Sequence, residues 1–243
     1  MKNRPLTGLR ASASALAAVV ALLVAVLCST PSAEASQAKK VNRYIGAQKC
    51  KTCHASKETG NQHEALSKMK HARAFEVLAS EESKKLAKEK GIDDPQKADA
   101  CVKCHVTAFG VPEAEIAKGF ERAHGVQCES CHGPGELHMK ARMAAAANED
   151  PDAPKVYKAL PEGEIVVHPA MSVCTACHNK ESPSYKPFCH CKAKHEIRHL
   201  NPKRERTEAE KAALLACSCA DDCSCKSDCC KGGSCTELAK PAK

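Results

Sequence analysis

A chain of 243 residues has room for one medium domain with a leader and a tail, and not for two independent cores. Its formal charge is +8, but the lysines are scattered among glutamates with no aromatic-interleaved basic patch, which argues against a nucleic-acid binder. Three Tyr, four Phe and no Trp supply too little aromatic area to fill a core of this size, so something other than side chains has to help fill it.

The chain begins with three basic residues between Met1 and Arg10, an apolar run from Ala15 to Leu27, and Ala33-Glu34-Ala35. This pattern predicts a secretory signal peptide over 1–35, cut near Ala35. The run falls short of the roughly 20 residues that a spanning helix needs. Cys28 follows Leu27, a poor residue before a lipid-accepting cysteine. Without the leader the charge is about +6. The mature chain is expected to be exported, periplasmic or beyond, with no membrane span.

Four segments then repeat Cys-x-x-Cys-His: Cys50, Cys53 and His54; Cys101, Cys104 and His105; Cys128, Cys131 and His132; Cys174, Cys177 and His178. This is the c-type haem attachment pattern. Two thiols bond the vinyl groups on one porphyrin edge, and the histidine that follows turns inward as the proximal iron ligand. Zinc ribbons or disulfides use paired cysteines too, but neither requires a histidine directly after every pair. The expected cofactors are therefore four covalently bound haem c groups. Haem macrocycles are large and apolar, and they would supply the missing core. The second and third motifs are closest in sequence, which suggests that their haems are near neighbours.

Eight histidines remain as candidates for the distal positions. His71, in Lys70-His71-Ala72-Arg73-Ala74, lies in a segment from about Glu64 to Lys90 whose composition favours helix, with small alanines beside it. His138 follows the Gly133-Pro134-Gly135 turn and opens an Ala-rich helical stretch to about Ala147. His195 and His199 are four apart and would share a helix face, and either could serve an iron. His124, just before the third motif, is a further candidate. His63, His168 and His190 are read as exposed or locally bonded. Each of Met69, Met139, Met143 and Met171 lies near a better histidine or a motif, so bis-histidine ligation with low potentials is expected.

After a helix near Thr207 to Ala216 the composition changes to Cys217, Cys219, Cys223, Cys225, Cys229, Cys230 and Cys235, spaced by Asp, Ser, Lys and Gly. The Cys-x-Cys rhythm is that of metallothioneins, and the tail has too few apolar residues for a core. Thiolates suit Zn or Cu(I); disulfides in an oxidising compartment are the competing reading. Cys189 and Cys191, on either side of His190, could join either arrangement. The domain reading is a signal peptide over 1–35, a tetrahaem domain over 36–205, and a helix with a Cys-rich tail over 206–243.

Several longer words carry a family resemblance. They are Gly46-Ala47-Gln48-Lys49 leading into the first motif, Lys70-His71-Ala72-Arg73-Ala74, and Val106-Thr107-Ala108-Phe109-Gly110 after the second motif. Gly125-Val126-Gln127 before the third motif and Ser182-Pro183 after the fourth complete the set. Over roughly residues 41 to 200 the chain resembles the cytochrome c-554 family of tetrahaem cytochromes. The resemblance implies a mainly α fold with little regular strand and closely packed, stacked haem pairs. It also implies a role in accepting electrons from a donor such as hydroxylamine oxidoreductase and passing them to another redox protein. By position it gives His138 to the first haem, His71 to the third, and His195 or His199 to the fourth. It leaves the second, at His105, without a protein distal ligand. The chain departs from the pattern at His124, which stands where the best-known member has no histidine and so makes closure of the second haem an open question. The Trp usual before His71 is also absent, with Glu64-Ala65 in its place. The leading expectation is an electron carrier. The alternatives are a nitric oxide or hydroxylamine redox enzyme at an open second haem and a subunit of an electron-conducting filament.

Overall fold

Short helices joined by long irregular loops are what four five-residue attachment words and only 12 glycines and 13 prolines would give if non-protein surfaces separated them. The computed structural model describes residues 41–150, 152, 157–186 and 190–215. The signal peptide, Cys189 and the cysteine tail lie outside the described residues. No helix among those described is long and apolar enough to cross a membrane.

The described chain is mainly helical. In order come α1 (Ala47–His54), α2 (Gln62–Ser67), α3 (Ala74–Val77), α4 (Glu81–Glu89), α5 (Asp99–His105), α6 (Cys128–His132), α7 (Glu136–Ala147), α8 (Met171–Thr175), α9 (His190–Glu196) and α10 (Glu208–Leu215). The only pairing of extended segments among the described residues is a single parallel bridge between Tyr44 and Ile116. Helices α1, α5 and α6 each hold a complete attachment motif, and α8 reaches into the fourth.

The helix expected over about Glu64 to Lys90 is divided into three helices and a short 3-10 turn at Lys70–Arg73. The breaks have local causes. Met69 is extended, and Ser80 caps α4 by accepting a hydrogen bond from the Ser83 backbone N–H. The His71 carbonyl closes the 3-10 turn by accepting from the Ala74 N–H and also accepts from the Val126 N–H at 3.0 Å, which ties the turn to a distant segment. At the other end, α10 starts with a reciprocal cap. The Thr207 hydroxyl accepts from the Glu210 N–H, and the Glu210 carboxylate accepts from the Thr207 N–H.

The interior is short of hydrocarbon, as the composition suggested. Among the described residues the buried apolar side chains are Ile45, Ala47, Leu78, Ala87 and Val106, and the two largest fully buried ones, Gln127 and Thr107, are polar. Both are satisfied. The Gln127 side chain accepts from the Ala47 N–H at 2.8 Å and donates to the Glu121 carbonyl at 2.9 Å. The Thr107 hydroxyl accepts from the Gln127 N–H at 2.7 Å and donates to the Gly125 carbonyl at 3.1 Å, which leaves Ser130 to donate to it at 2.6 Å. These bonds tie the end of α5 and the start of α6 to the start of α1.

A second clasp works on the segment before α1. The Glu129 carboxylate, 3% exposed, accepts from the backbone N–H groups of Ile45, Gly46 and Gly135 at 2.7–3.1 Å. Burial pushes its pKa up, while the three N–H groups pull it back. Glu136 accepts both Arg43 donors, at 2.8 and 2.5 Å, and also the Lys140 ammonium at 2.7 Å. Arg43 and Lys140 hold the Glu136 carboxyl down at about 2, against an ordinary value of 4.5. Because the folded value lies below the unfolded one, this stabilisation is present above about pH 4.5 and is lost as the pH falls towards 2. Urea midpoints of the native protein and Glu136→Gln are accordingly expected to differ near neutral pH and to converge by about pH 2. A gap that persists there would contradict this reading.

Candidate haem sites

In α1, α5 and α6 the two thiols lie one turn apart and the following histidine is the last residue of the helix, whereas α8 ends at Thr175, before Cys177 and His178. Among the described residues the eight motif cysteines form no disulfide, and no group of three or more His, Cys, Asp or Glu side chains is gathered for a metal ion. Neither alternative reading of the motifs gains support from the geometry.

Three motif histidines have a second histidine ring beside them. His54 faces His138 at 6.2 Å between ring centres, His178 faces His71 at 5.9 Å, and His132 faces His199 at 5.8 Å. An iron between two imidazoles needs two metal–nitrogen bonds of roughly 2 Å each, plus roughly 1.1 Å from each nitrogen to its ring centre, so about 6 Å in all. The spacing fits bis-histidine ligation three times over.

The remaining nitrogen of each ring shows which one is left for iron. The Nδ1–H groups of His105 and His132 donate to the carbonyls of Ala74 and Val166, both at 2.5 Å, and that of His199 to the Ile197 carbonyl at 2.9 Å. His138 donates to the Glu164 carboxylate at 2.7 Å, and His54 makes a long contact to Gln62 at 3.4 Å. With Nδ1 held as a donor, Nε2 carries the free lone pair. Burial lowers the pKa of His54, His71, His132 and His178, which favours the neutral ring that metal binding requires. The residues therefore fit covalently held haem: the twelve motif residues would attach it, and His71, His138 and His199 stand where second axial ligands would come from.

Two expectations change. The resemblance paired His71 with the third haem and a late histidine with the fourth, but the rings are the other way round: His71 stands by His178 and His199 by His132. Of the two late histidines, α9 stops at Glu196, so His199 lies beyond the helix and does not share a face with His195. His195 makes no ring contact with a motif histidine among the described residues, and its buried Nδ1 lacks a partner. His124 is turned towards Glu121 at 3.7 Å and is 40% exposed, and no histidine ring faces His105 among the described residues.

The thiols give an order to the sites. Cys50 of the first motif is within hydrogen-bonding reach of Cys128 of the third. Cys131 of the third lies near Cys174 of the fourth, and Cys177 of the fourth lies near Cys104 of the second. Lys103 and Glu181, 2.6 Å apart, reinforce the last of these contacts. The sequence neighbours, second and third, are joined through Thr107 and Ser130, but their attachment cysteines contact other motifs. The sites run first, third, fourth, second.

Sequence reasoning missed the residues that hold these sites in place: Thr107, Gln127, Glu129, Glu136 and Glu164. Three lie in or beside attachment words, where the haem chemistry absorbs attention. For Glu164 the sequence offers no signal, since its partners arrive from α7.

Residues 49–133 match the family described as cytochrome c554 and c-prime. Cytochrome c-554 of Nitrosomonas europaea is 35% identical over 150 residues, which covers 59% of this chain and 61% of that protein. The chain thus spans less than two thirds of that relative's length. No solved structure matches the chain. The attachment words, the histidine pairs and the matched segment together identify a c-type cytochrome that is similar to the cytochrome c-554 family.

Proposed function

We propose that this chain is an exported tetrahaem electron carrier that takes electrons from one redox protein and delivers them to another. The observation that carries the reading is the set of three histidine pairs at 5.8–6.2 Å, each joining a motif histidine to one from elsewhere in the chain. An iron closed on both sides can exchange electrons but has no position for a substrate. The haems supply the redox chemistry, and the polypeptide supplies ligands, spacing and exclusion of water. The neighbouring thiols favour a path from the first site through the third and fourth to the second, with the first and second sites as the ends open to partners.

A second reading applies to one iron. His124 points to Glu121, so the site at His105 is the one of the four where a small molecule such as nitric oxide could bind and be reduced. Electron paramagnetic resonance of the ferric protein, with haem counted by pyridine haemochrome, tests both readings. The expected result is four covalent haems per chain, three low-spin irons and one high-spin iron that turns low-spin on adding cyanide or nitric oxide. Fewer than four covalent haems would overturn the carrier reading as stated. Four low-spin irons would remove the small-molecule site and leave the carrier.

A further inference from the structure

Among the histidines placed at iron positions, His138 is set apart by the group its outer nitrogen meets. His105, His132 and His199 donate Nδ1–H to neutral backbone carbonyls, whereas His138 donates to the Glu164 carboxylate at 2.7 Å. The Glu164 side chain is only 9% exposed, and its other oxygen accepts from the Arg142 guanidinium at 2.6 Å. Arg142 follows His138 by one helical turn on α7, so both groups reach Glu164 from the same face. The Arg142 Nε is buried without a partner, so the guanidinium is positioned by Glu164 and not by competing bonds.

We infer that Glu164 is a positioning and tuning residue for the first haem: by accepting from His138 it fixes the ligating nitrogen and makes the first iron the hardest of the three bis-histidine irons to reduce. The inference rests on the reading of His54 and His138 as the ligand pair. The physical reason lies in the acceptor. A hydrogen bond to an ionised carboxylate is about twice as strong as one to a neutral group. It lends electron density to the imidazole and raises its basicity as a ligand. A more basic ligand stabilises the ferric state over the ferrous one. Arg142 offsets part of the field of Glu164 and, by bonding the other oxygen, holds the carboxylate in place behind His138. Placed at one end of the thiol-defined order, a low-potential iron would give the electron path a direction, away from the first site.

Glu164→Gln tests this without changing shape, because the amide oxygen can still accept from His138. Spectroelectrochemical titration of the fully loaded chain should show one midpoint moved to higher potential and the others unmoved, with a changed g-value set for one low-spin iron. Glu164→Asp, which withdraws the carboxylate by one methylene, should move the same midpoint in the same direction by less. A purely structural role for Glu164 would leave all midpoints in place in the Gln variant, and that result would overturn the inference. Should neither variant retain haem, near-infrared magnetic circular dichroism of the unaltered ferric protein decides. One bis-histidine charge-transfer band displaced from the others supports the inference, and coincident bands overturn it. His138→Ala separates the two levels. If the low-spin count does not fall, the ligand reading itself fails. If it falls by one while Glu164→Gln moves nothing, only the tuning role fails.

Discussion

His71→Met is expected to raise the midpoint of a single haem, the one attached at Cys174 and Cys177, by on the order of 0.1 V, a fraction of the roughly 0.8 V that axial ligands span. Exchanging imidazole for thioether weakens donation to ferric iron and raises the potential. The site is well placed to accept the exchange. The backbone around residue 71 is pinned by the bond from the Val126 N–H to the His71 carbonyl, and Gly125 packs against the same carbonyl. A Cβ at Gly125 would come within 2.9 Å of it, and Gly125 has a φ of +73° that other residues rarely adopt. The ring spacing of 5.9 Å to His178 decides which iron responds. In a chain lacking the fourth haem, made by Cys174→Ala with Cys177→Ala, the His71→Met change should therefore move nothing further. In a chain lacking the third haem, it should act in full. The reverse pattern would restore the pairing that the family resemblance suggested.

Glu129→Ala should be the most damaging single change to stability. It would strip three buried backbone N–H groups of their acceptor at once. At about 1–3 kcal/mol for each unsatisfied buried group the loss is roughly 3–9 kcal/mol, comparable to much of a typical domain's stability of about 5–15 kcal/mol. The damage should be local first. The three donors are Ile45 and Gly46, which lead into the first attachment helix, and Gly135, which precedes the helix of His138. Chemical denaturation followed at the Soret band should show an earlier midpoint, with the low-spin signal of one haem broadened before unfolding begins. An unchanged midpoint would mean that water replaces the carboxylate at no cost.

How far the sequence could be read depended on whether a feature is local. The attachment words are legible because covalent chemistry fixes two thiols and an imidazole within five residues. The helix over Glu136–Ala147 and the cap at Thr207 follow the same logic, since propensity and capping act over a few positions. The segment around His71 could not be read this way. Its residues favour helix, but bonds to Val126 and the cap at Ser80 break it, and one of those partners is more than 50 positions away.

Sequence alone therefore determined the cofactor chemistry: four attachment words, a pool of candidate histidines, and a shortage of aromatic core that only large apolar groups could make good. The tertiary structure decided which histidine meets which motif, because that depends on backbone routes between distant segments. It sent His71 to His178 and His199 to His132, and it placed Glu164 behind His138. It also set the order of the sites, since thiols far apart in the chain, such as Cys50 and Cys128, come together only when buried carboxylates and amides clasp their helices.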